Sequence, residues 1–440
     1  VLDRIAATQG DLNAVVAVRD REAILADARA AEARIGRGEA RPLEGVPLGV
    51  KDLEDVEGLV TSQGSVPFRD RVATRDSTQV VRLRAAGAIV FGKTNTPEFG
   101  FTAITKNLVY GVTRSPWSLE RTPGGSSGGS AAALAGGVLT LVTASDGGGS
   151  IRIPASFTGA FGLKPSYGRV PLGPSDLWDY GDTACYGPLT KTVEDAALFL
   201  DQVVGPSPYD PNSLPHPGIS YVDSLREPLP RLRIGFSADL GYAVVQSDVA
   251  AAVEESAGVF ERLGHRRESF SGGPPELGRE WAILGNFELA AKLHRTLAED
   301  ESRFMRSFVE AVKMGWKMTP ERWGEAARLR AELNRWCAEA FERFDLLVTP
   351  TVPYDPPPAR GPFPTETEGR AQGPVGVASF TIPFNLSWHP AATVRAGLSK
   401  AGLPIGMQIV GPRHRDDLVL RAALAFERER PWHPQWPTRW

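Results

Sequence analysis

Cysteine pairs and metal-ligand patterns are what the sequence most clearly lacks. The 440 residues include two cysteines, Cys185 and Cys337, which lie far apart and form no CxxC motif. We therefore expect no disulfide framework, and this cysteine usage fits a reducing compartment and a cytoplasmic location. The six histidines show no HExxH or similar spacing, so we expect neither a metal nor another cofactor.

Long apolar runs and blocks of basic residues are also missing. The longest apolar candidate, residues 131–144, contains two glycines and is shorter than the ~18 residues of a membrane span. The net charge is −3 and no Lys/Arg block stands out, so we expect no membrane and no nucleic-acid partner. The chain opens on Val1 rather than Met, so we expect that an N-terminal segment precedes it.

Short apolar runs alternate with amphipathic patterns along the chain. Apolar runs that predict strands occupy residues 46–50, 88–91, 139–144, 232–236, 345–350, 391–396 and 404–410. Patterns with helical periodicity occupy residues 20–35, 77–86, 130–135, 192–204, 247–263, about 279–343 and 416–428. Continuous apolar strands between helices predict an α/β fold, with a central mixed β-sheet flanked on both sides by α-helices.

Two short motifs match known patterns without the structural context that those patterns need. "GAIVFGKT" at 87–94 fits the phosphate-loop pattern, but "AIVF" is a predicted strand and Pro97 follows where a helix is required. We interpret this match as chance and expect Lys93 at a sheet edge. "GGSSG" at 124–128 fits the GxSxG nucleophile elbow, although no strand precedes it; with His389 or His414 as base, this interpretation stays open as an alternative.

A second Gly/Ser cluster, "SDGGGSIRIPA", puts three glycines directly before Ser150, after an apolar strand. Successive glycine N–H groups can turn toward one point because no Cβ obstructs the unusual dihedral angles. A hydroxyl at the end of such a loop sits where an oxyanion hole is needed. Taken alone, however, "GGGS" fits a tight turn at the end of a strand better.

Lys51 and Ser126 change this balance. Lys51 ends the apolar strand "GVPLGV", and a lysine leaving such a strand is partly buried, which lowers its pKa and lets it act as a base. Asp52 follows directly, but successive strand side chains point to opposite faces, so it is expected to face away. Ser–Lys pairs activate serine nucleophiles, and Ser126 in "GGSSGG" offers a second hydroxyl as a proton relay.

At these residues the sequence resembles the amidase signature family. The matching segments follow the family's order: "GVPLGVKD", "GKTNTPEFG", "TRSPW", "RTPGGSSGGSAAALAGG", "SDGGGSIRIPASFTGAFGLKPSYGRVP", "GPLTKTVEDAA", "LLVTPTVP" and "GLPIGMQIVGPRHRDD". The resemblance covers nearly the whole chain and is weakest between about 206 and 343. It implies the amidase signature fold in a single domain, residues 1–440, with the signature core at about 45–205 and a variable helical region at about 206–343.

The resemblance also implies a Ser-cisSer-Lys triad. Lys51 matches the family's catalytic lysine, Ser126 its bridging serine and Ser150 its acylated nucleophile. The bridging serine follows a cis peptide bond in the family, here the bond from Gly125. The implied oxyanion donors are the backbone N–H groups of Gly147, Gly148, Gly149 and Ser150.

Four residues are expected to support this site: Gly125, Ser127, Asp146 and Arg152. From the residues alone, Asp146 and Arg152 fit an ordinary surface or interdomain salt bridge equally well. One departure lies in the signature itself, because Gly147 stands where the family commonly has threonine. No N–H group is lost by this change, so the oxyanion hole is expected to survive with a more flexible loop.

The implied reaction is hydrolysis of a carboxylic amide to an acid plus ammonia or an amine, through an acyl-enzyme. One alternative is the glutaminase A subunit of a glutamyl-tRNA amidotransferase. That subunit usually carries an Asp that grips the glutamine amino group, and the matching position here is Ala378, which argues against glutamine. A second alternative is a catalytically silent family member that acts as a binding protein; retention of Lys51, Ser126 and Ser150 counts against it.

The substrate pocket is expected in the variable segments at about 172–186, 278–320 and 376–389. Aromatic residues in these segments are candidates for its lining, and if two or three of them line it, an apolar or aryl amide is the expected substrate. The predicted pocket residues are Trp178, Tyr180 and Trp388, with Trp281, Phe287 and Trp316 as further aromatics in the same segments. The expected partner is a small-molecule amide, and a homodimer stays open.

Overall fold

Helices and strands alternate along most of the chain. The computed structural model describes residues 1–175, 181–373, 375–432 and 435–437. The helices are α1 (Leu2–Leu12), α2 (Arg21–Gly36), α3 (Thr78–Ala85), α4 (Gly128–Ala135), α5 (Arg152–Thr158), α6 (Val193–Val203), α7 (Tyr221–Ser224), α8 (Ser247–Arg262), α9 (Gly278–Glu299), α10 (Arg306–Gly315), α11 (Pro320–Arg343), α12 (Ile382–Leu386) and α13 (Asp416–Glu429). The strands are β1 (Val15–Val18), β2 (Pro47–Lys51), β3 (Ile89–Thr94), β4 (Lys106–Asn107), β5 (Gly111–Val112), β6 (Leu141–Asp146), β7 (Phe161–Lys164), β8 (Cys185–Thr190), β9 (Arg233–Phe236), β10 (Arg266–Ser269), β11 (Leu346–Pro350), β12 (Glu366–Thr367), β13 (Arg370–Ala371), β14 (Ala391–Leu398) and β15 (Pro404–Val410).

One large mixed sheet organises the fold. Eleven of the described strands form it, in the order β1-β3-β2-β6-β8-β7-β14-β15-β11-β9-β10. Strands β3, β2 and β6 run parallel to one another, as do β11, β9 and β10, and the pairs between these two blocks are antiparallel. The predicted central mixed sheet is therefore confirmed.

Helices cover both faces of this sheet, as β3 illustrates. Val90 packs in the same apolar cluster as Val80 of α3, whereas Ile89 and Phe91 pack in another cluster with Ala133 of α4. Successive strand side chains point to opposite faces, so these two clusters lie on opposite sides of the sheet. The expectation of helices on both sides is confirmed.

Local sequence signals account for several helix starts. Asp20 accepts a hydrogen bond from the N–H of Ala23 at 2.9 Å, and Ser77 accepts one from Val80 at 3.2 Å. Thr192 accepts one from Asp195 at 3.0 Å. Side-chain oxygens at these positions satisfy N–H groups that the first turn leaves unpaired, which is why the predicted boundaries of α2, α3 and α6 agree with the structure to within a residue or two.

Lys93 corrects one expectation. It lies in β3, which is paired on both sides, with β1 and β2, so the prediction of a sheet-edge position was wrong. The side chain is fully buried, and its amine donates to the carbonyl of Glu54 and to Thr61 Oγ1. The error arose because the four-residue strand β1 was not predicted. Only a 3₁₀ turn at Glu98–Gly100 follows β3, in agreement with rejection of the phosphate-loop match.

The sheet brings the two Gly/Ser clusters to one place. Because β2 and β6 are parallel neighbours, their carboxyl ends, Lys51 and Asp146, meet at the same edge of the sheet. Helix α4 packs closely there: a Cβ added to Gly129 would lie 2.1 Å from the backbone nitrogen of Asn95. Only glycine permits this approach, which places Ser126 and Ser127, just before α4, beside the ends of both strands.

No helix within the described ranges combines the length and the apolar character needed to cross a bilayer.

Candidate active site

The amine of Lys51 is the centre of a buried hydroxyl cluster. Nζ lies 2.8 Å from Ser126 Oγ and 2.9 Å from both Ser127 Oγ and Ser145 Oγ. The lysine side chain comes from the end of β2, and its backbone N–H donates to Thr143 Oγ1 at 3.0 Å, which ties β2 to β6. Lys51 is 1% exposed, so its amine is removed from bulk water.

Burial shifts the protonation of Lys51. Desolvation disfavours the ammonium form and lowers its pKa to about 7, although Asp146 and Glu54 pull in the opposite direction. Asp52, the residue after β2, is directed away from the lysine amine, as predicted: its carboxylate accepts from Ser62 Oγ at 2.5 Å and lies 3.9 Å from Lys93 Nζ. The neighbouring carboxylate in sequence is therefore not the partner of the lysine amine.

The two serines before α4 are held by their backbone. The Gly125–Ser126 peptide bond is cis, as the resemblance implied, and the carbonyl of Ser126 accepts from Thr96 Oγ1 at 3.0 Å. The hydroxyl of Ser127 donates to the carbonyl of Ser145 at 3.3 Å. The N–H of Ser127 donates to the carbonyl of Ser150 at 3.3 Å, which joins the two Gly/Ser clusters directly.

Ser150 lies between β6 and α5, half-buried, and lines the same cleft as Ser126. Of the four N–H groups proposed for the oxyanion hole, that of Gly149 is already used: it donates to Asp146 Oδ1 at 2.7 Å. Among the described residues, none accepts a hydrogen bond from the N–H groups of Gly147, Gly148 or Ser150. The structure thus removes Gly149 from the candidate donors and leaves the other three.

Asp146 and Arg152 form a buried bidentate pair, so the alternative of a surface salt bridge was wrong. Both side chains are fully buried, with Arg152 Nε 2.9 Å from Asp146 Oδ2. Asn385 donates to Asp146 Oδ1 at 2.9 Å, and Gln408 accepts from Arg152 at 2.7 Å. Although burial opposes ionisation, Arg152 and Asn385 hold the pKa of Asp146 well below its usual range. The ionised carboxylate anchors the glycine loop through Gly149.

Two further side chains hold the glycine loop, and the sequence analysis did not assign them this role. Trp281 Nε1 donates to the carbonyl of Gly147 at 2.7 Å, and Thr381 Oγ1 donates to the carbonyl of Gly148 at 2.7 Å. Both come from distant parts of the chain, α9 and the turn before α12. No local motif announces such contacts, because the fold alone brings these segments to the loop.

A large cleft opens above the two serines, with a volume of about 940 Å³. Its walls are mostly apolar, and they include the following side chains: Phe99, Phe101, Ile153, Trp281, Leu284, Leu289, Met314, Trp323, Phe363, Val377 and Ala378. The volume lies at the upper end of the range for small-molecule sites. A mostly apolar wall suits an apolar ligand, although the lining also includes polar and charged residues, among them Glu288, Arg330 and Gln372.

The predicted pocket residues fall in different places. Trp178 and Tyr180 lie outside the described residues. Trp388 stacks on Tyr167 with ring centroids 4.7 Å apart and donates to the carbonyl of Asp182, and it is not among the described residues that line the cleft. Of the other aromatics named above, Trp281 lines the cleft, while Phe287 and Trp316 do not.

Neither His389 nor His414 is among the described residues that line the cleft beside Ser126, which gives no support to a nucleophile elbow. His389 is buried, stacks on Phe341 and pairs through Nδ1 with Ser387 Oγ at 2.9 Å. Burial and the nearby Arg413 lower its pKa to about 3. The hydroxyl of Ser126 is instead hydrogen-bonded to Lys51. Within the described ranges, no group of three or more His, Cys, Asp or Glu side chains could hold a metal ion.

Comparison with known proteins shows the family to which the chain belongs. The Amidase family model matches residues 1–420. The chain is 36% identical to an acylamidase of Rhodococcus erythropolis, over 99% of this chain and 92% of that protein. It is 34% identical to the A subunit of the glutamyl-tRNA(Gln) amidotransferase of a Geobacter species (strain M21), over 98% of this chain and 93% of that protein. The crystal structure of a bacterial aryl acylamidase of the amidase signature family superposes with a TM-score of 0.93 at 31% identity, covering 100% of this chain and 94% of that one.

The fold and the family match define the class: the chain belongs to the Amidase family. It is a hydrolase of the amidase type. These comparisons confirm the family, fold and enzyme class that the sequence predicted.

Two alanine substitutions in the glycine loop are expected to differ sharply. Gly147→Ala should keep kcat/KM within about twofold, because the new Cβ meets only Ala184 at an ordinary 3.8 Å. Gly149→Ala should lose at least ~100-fold, as expected for a damaged oxyanion loop, because its φ is +132° and its Cβ would lie 2.4 Å from Thr381 Oγ1. Amide turnover and thermal unfolding of both variants test this; equal activities would contradict the loop geometry described here.

Proposed function

We propose that the protein hydrolyses carboxylic amides with Ser150 as nucleophile, Ser126 as proton relay and Lys51 as base. The observation that carries the proposal is the 2.8 Å contact between Lys51 Nζ and Ser126 Oγ. A fully buried amine with a pKa near 7 is substantially neutral at neutral pH and can accept a proton from a serine.

In the first half of the proposed reaction, Ser150 Oγ attacks the substrate carbonyl carbon and forms a C–O bond. Its proton passes to Ser126 Oγ as the proton of Ser126 moves to Lys51, which becomes an ammonium. The carbonyl oxygen takes up the negative charge. The N–H groups of Gly147, Gly148 and Ser150 are available to stabilise this oxyanion, since the described residues leave them without acceptors.

The second half returns the proton. Lys51 passes it back through Ser126 to the amide nitrogen, and the C–N bond breaks. The amine or ammonia departs, and the acyl group remains bound to Ser150 as an ester. Water then attacks this ester while the same relay takes up a proton. Collapse of the second tetrahedral intermediate releases the carboxylic acid and restores the Ser150 hydroxyl. One water is consumed and no redox partner is needed.

The proposed substrate is an apolar or aryl amide. The cleft wall is rich in aromatic and aliphatic side chains, among them Phe99, Phe101, Trp281 and Trp323. The relatives reported above include an acylamidase and an aryl acylamidase. An apolar acyl or amine group buried against these walls would supply binding energy that a small polar amide cannot.

Glutaminase activity within an amidotransferase is the alternative that a named relative favours. It needs a polar grip on the glutamine amino group, and the position that matches this grip is Ala378, a cleft-lining residue with only a methyl side chain. Glutamine hydrolysis that appears only after the other amidotransferase components are added, with no turnover of aryl amides, would favour the alternative. If the protein were a catalytically silent family member that acts as a binding protein, the contact between Lys51 and Ser126 would take part in no reaction.

The nucleophile can be identified covalently. A fluorophosphonate probe should label Ser150, because this serine follows the glycine loop and faces the cleft. Ser150→Ala should abolish labelling and amide turnover, whereas Ser126→Ala should slow both and keep the fold. Tandem mass spectrometry of the labelled peptide decides the point: an adduct on Ser126 or Ser127 would contradict the assignment and revive the nucleophile elbow.

The pH dependence follows from the lysine. The neutral amine is the active form, so kcat/KM should fall as the pH drops through about 7 and level off above it. Lys51→Arg should lose several orders of magnitude in rate, because arginine does not give up its proton in a protein. A pH–rate profile of both enzymes is the measurement, and near-normal activity of the arginine variant would show that only a positive charge is required.

A further inference from the structure

The orientation of the glycine loop depends on a side chain outside the proposed triad. The loop carries three consecutive glycines, so its own side chains cannot fix its peptide planes. Three contacts fix them instead: Trp281 holds the carbonyl of Gly147, Thr381 holds that of Gly148, and Asp146 holds the N–H of Gly149, each at 2.7 Å. The first contact determines the plane of the Gly147–Gly148 peptide, and the other two hold the Gly148–Gly149 peptide at its C=O and at its N–H.

The contact of Trp281 determines the plane that matters for an oxyanion donor. A trans peptide is planar, with its C=O and N–H pointing in opposite directions. The carbonyl of Gly147 and the N–H of Gly148 belong to the same peptide. When Trp281 Nε1 binds this carbonyl, it therefore aims the N–H of Gly148 away from the indole, and this N–H is one of the three that remain unpaired among the described residues.

The indole ring also closes the space beside Gly148. A Cβ added there would lie 2.4 Å from Cζ2 of Trp281. Gly148 does not have the positive φ of Gly149, so it is the ring, and not the backbone, that excludes a side chain at this position. Trp281 thus contacts the loop twice, through its N–H and through its ring.

Trp281 joins the loop to the wall of the cleft. It lies in the first turn of α9, where its backbone N–H donates to the carbonyl of Leu277. Helix α9 also contributes Leu284 and Leu289 to the cleft. The start of α9 is tightly packed: a Cβ on Gly278 would lie 2.0 Å from Val375 Cγ2. The indole is therefore carried by a fixed helix end and not by a loose surface loop.

We propose that Trp281 is a positioning residue for catalysis, which holds the Gly147–Gly148 peptide so that the Gly148 N–H faces the reacting carbonyl. This inference rests on the proposed function of the same site. It assigns the oxyanion geometry to a residue of the helical region that also shapes the substrate cleft. A substitution that keeps an aromatic ring at this position and removes the indole N–H should lower kcat and leave substrate binding nearly intact.

Trp281→Phe is the direct test, with turnover measured on the best substrate from a panel of chromogenic aryl amides. We expect kcat to fall by about 10- to 100-fold, less than the ~10²–10³ lost when an oxyanion donor is removed outright, with KM within about twofold of wild type and an unchanged unfolding temperature. Trp316→Phe is the matched control, because Trp316 lies outside the cleft lining and bonds only weakly to the carbonyl of Ala290 at 3.4 Å. Its kcat should stay at the wild-type value.

A double-mutant cycle gives a second, independent readout. Gly148→Ala should impair the wild-type enzyme by displacing the indole, and Trp281→Leu should impair it by removing the same contacts. Because both changes disrupt the same contacts between Trp281 and the loop, their effects on kcat should not add. The double variant should have a kcat within about threefold of that of Trp281→Leu. The inference would be overturned if the two losses in kcat multiplied in the double variant, or if the kcat of Trp281→Phe stayed within twofold of wild type. Failure of the wild-type enzyme to label on Ser150 or to turn over any amide would instead overturn the proposed function.

Discussion

Burial of the Lys51 amine without a carboxylate beside it is the constraint on which the site depends. Among the described residues, no carboxylate oxygen lies within 4 Å of Nζ, which is surrounded by three serine hydroxyls at 2.8–2.9 Å. An ammonium in such a place loses its hydration without gaining a carboxylate in contact, and this loss outweighs the attraction of the more distant Asp146 and Glu54, so the neutral amine is favoured. The parallel pairing of β2 with β6 and the close packing of α4 exclude water from the Lys51 amine and hold the serine hydroxyls close to it.

The glycine loop shows the complementary arrangement, in which a flexible segment is fixed by rigid neighbours. The buried Asp146–Arg152 pair, with Asn385 and Gln408, holds the start of the loop. Trp281 and Thr381 hold its carbonyls. A buried ion pair of this kind is costly to break, because removing one partner leaves an uncompensated charge. Its value here lies in geometry, since it holds the N–H of Gly149, while those of Gly147, Gly148 and Ser150 have no acceptor among the described residues.

Much of this site could be predicted from the sequence because its chemical groups lie in contiguous motifs. Lys51, Ser126 and Ser150 each lie in a recognisable segment, and short apolar runs predict the strands that precede Lys51 and Ser150. Contacts made only through the fold were out of reach: Trp281 meets Gly147 across 134 positions of sequence. The sheet-edge expectation for Lys93 failed because a four-residue strand leaves almost no pattern. The pairing of Gly149 with Asp146 depends on backbone geometry that residue types do not encode.

The central claim is that burial lowers the pKa of Lys51 so that its amine can be neutral near pH 7. Direct titration of this side chain tests the claim most closely. Lysine side chains labelled with ¹³C at Cε can be followed by NMR across pH, with Lys51→Arg used to assign the resonance. The account predicts a lysine that titrates at about 7, far below the ~10.4 of a free lysine. A Lys51 resonance that stays in its charged position up to about pH 10 would contradict it, because the buried amine could then not accept the proton of Ser126.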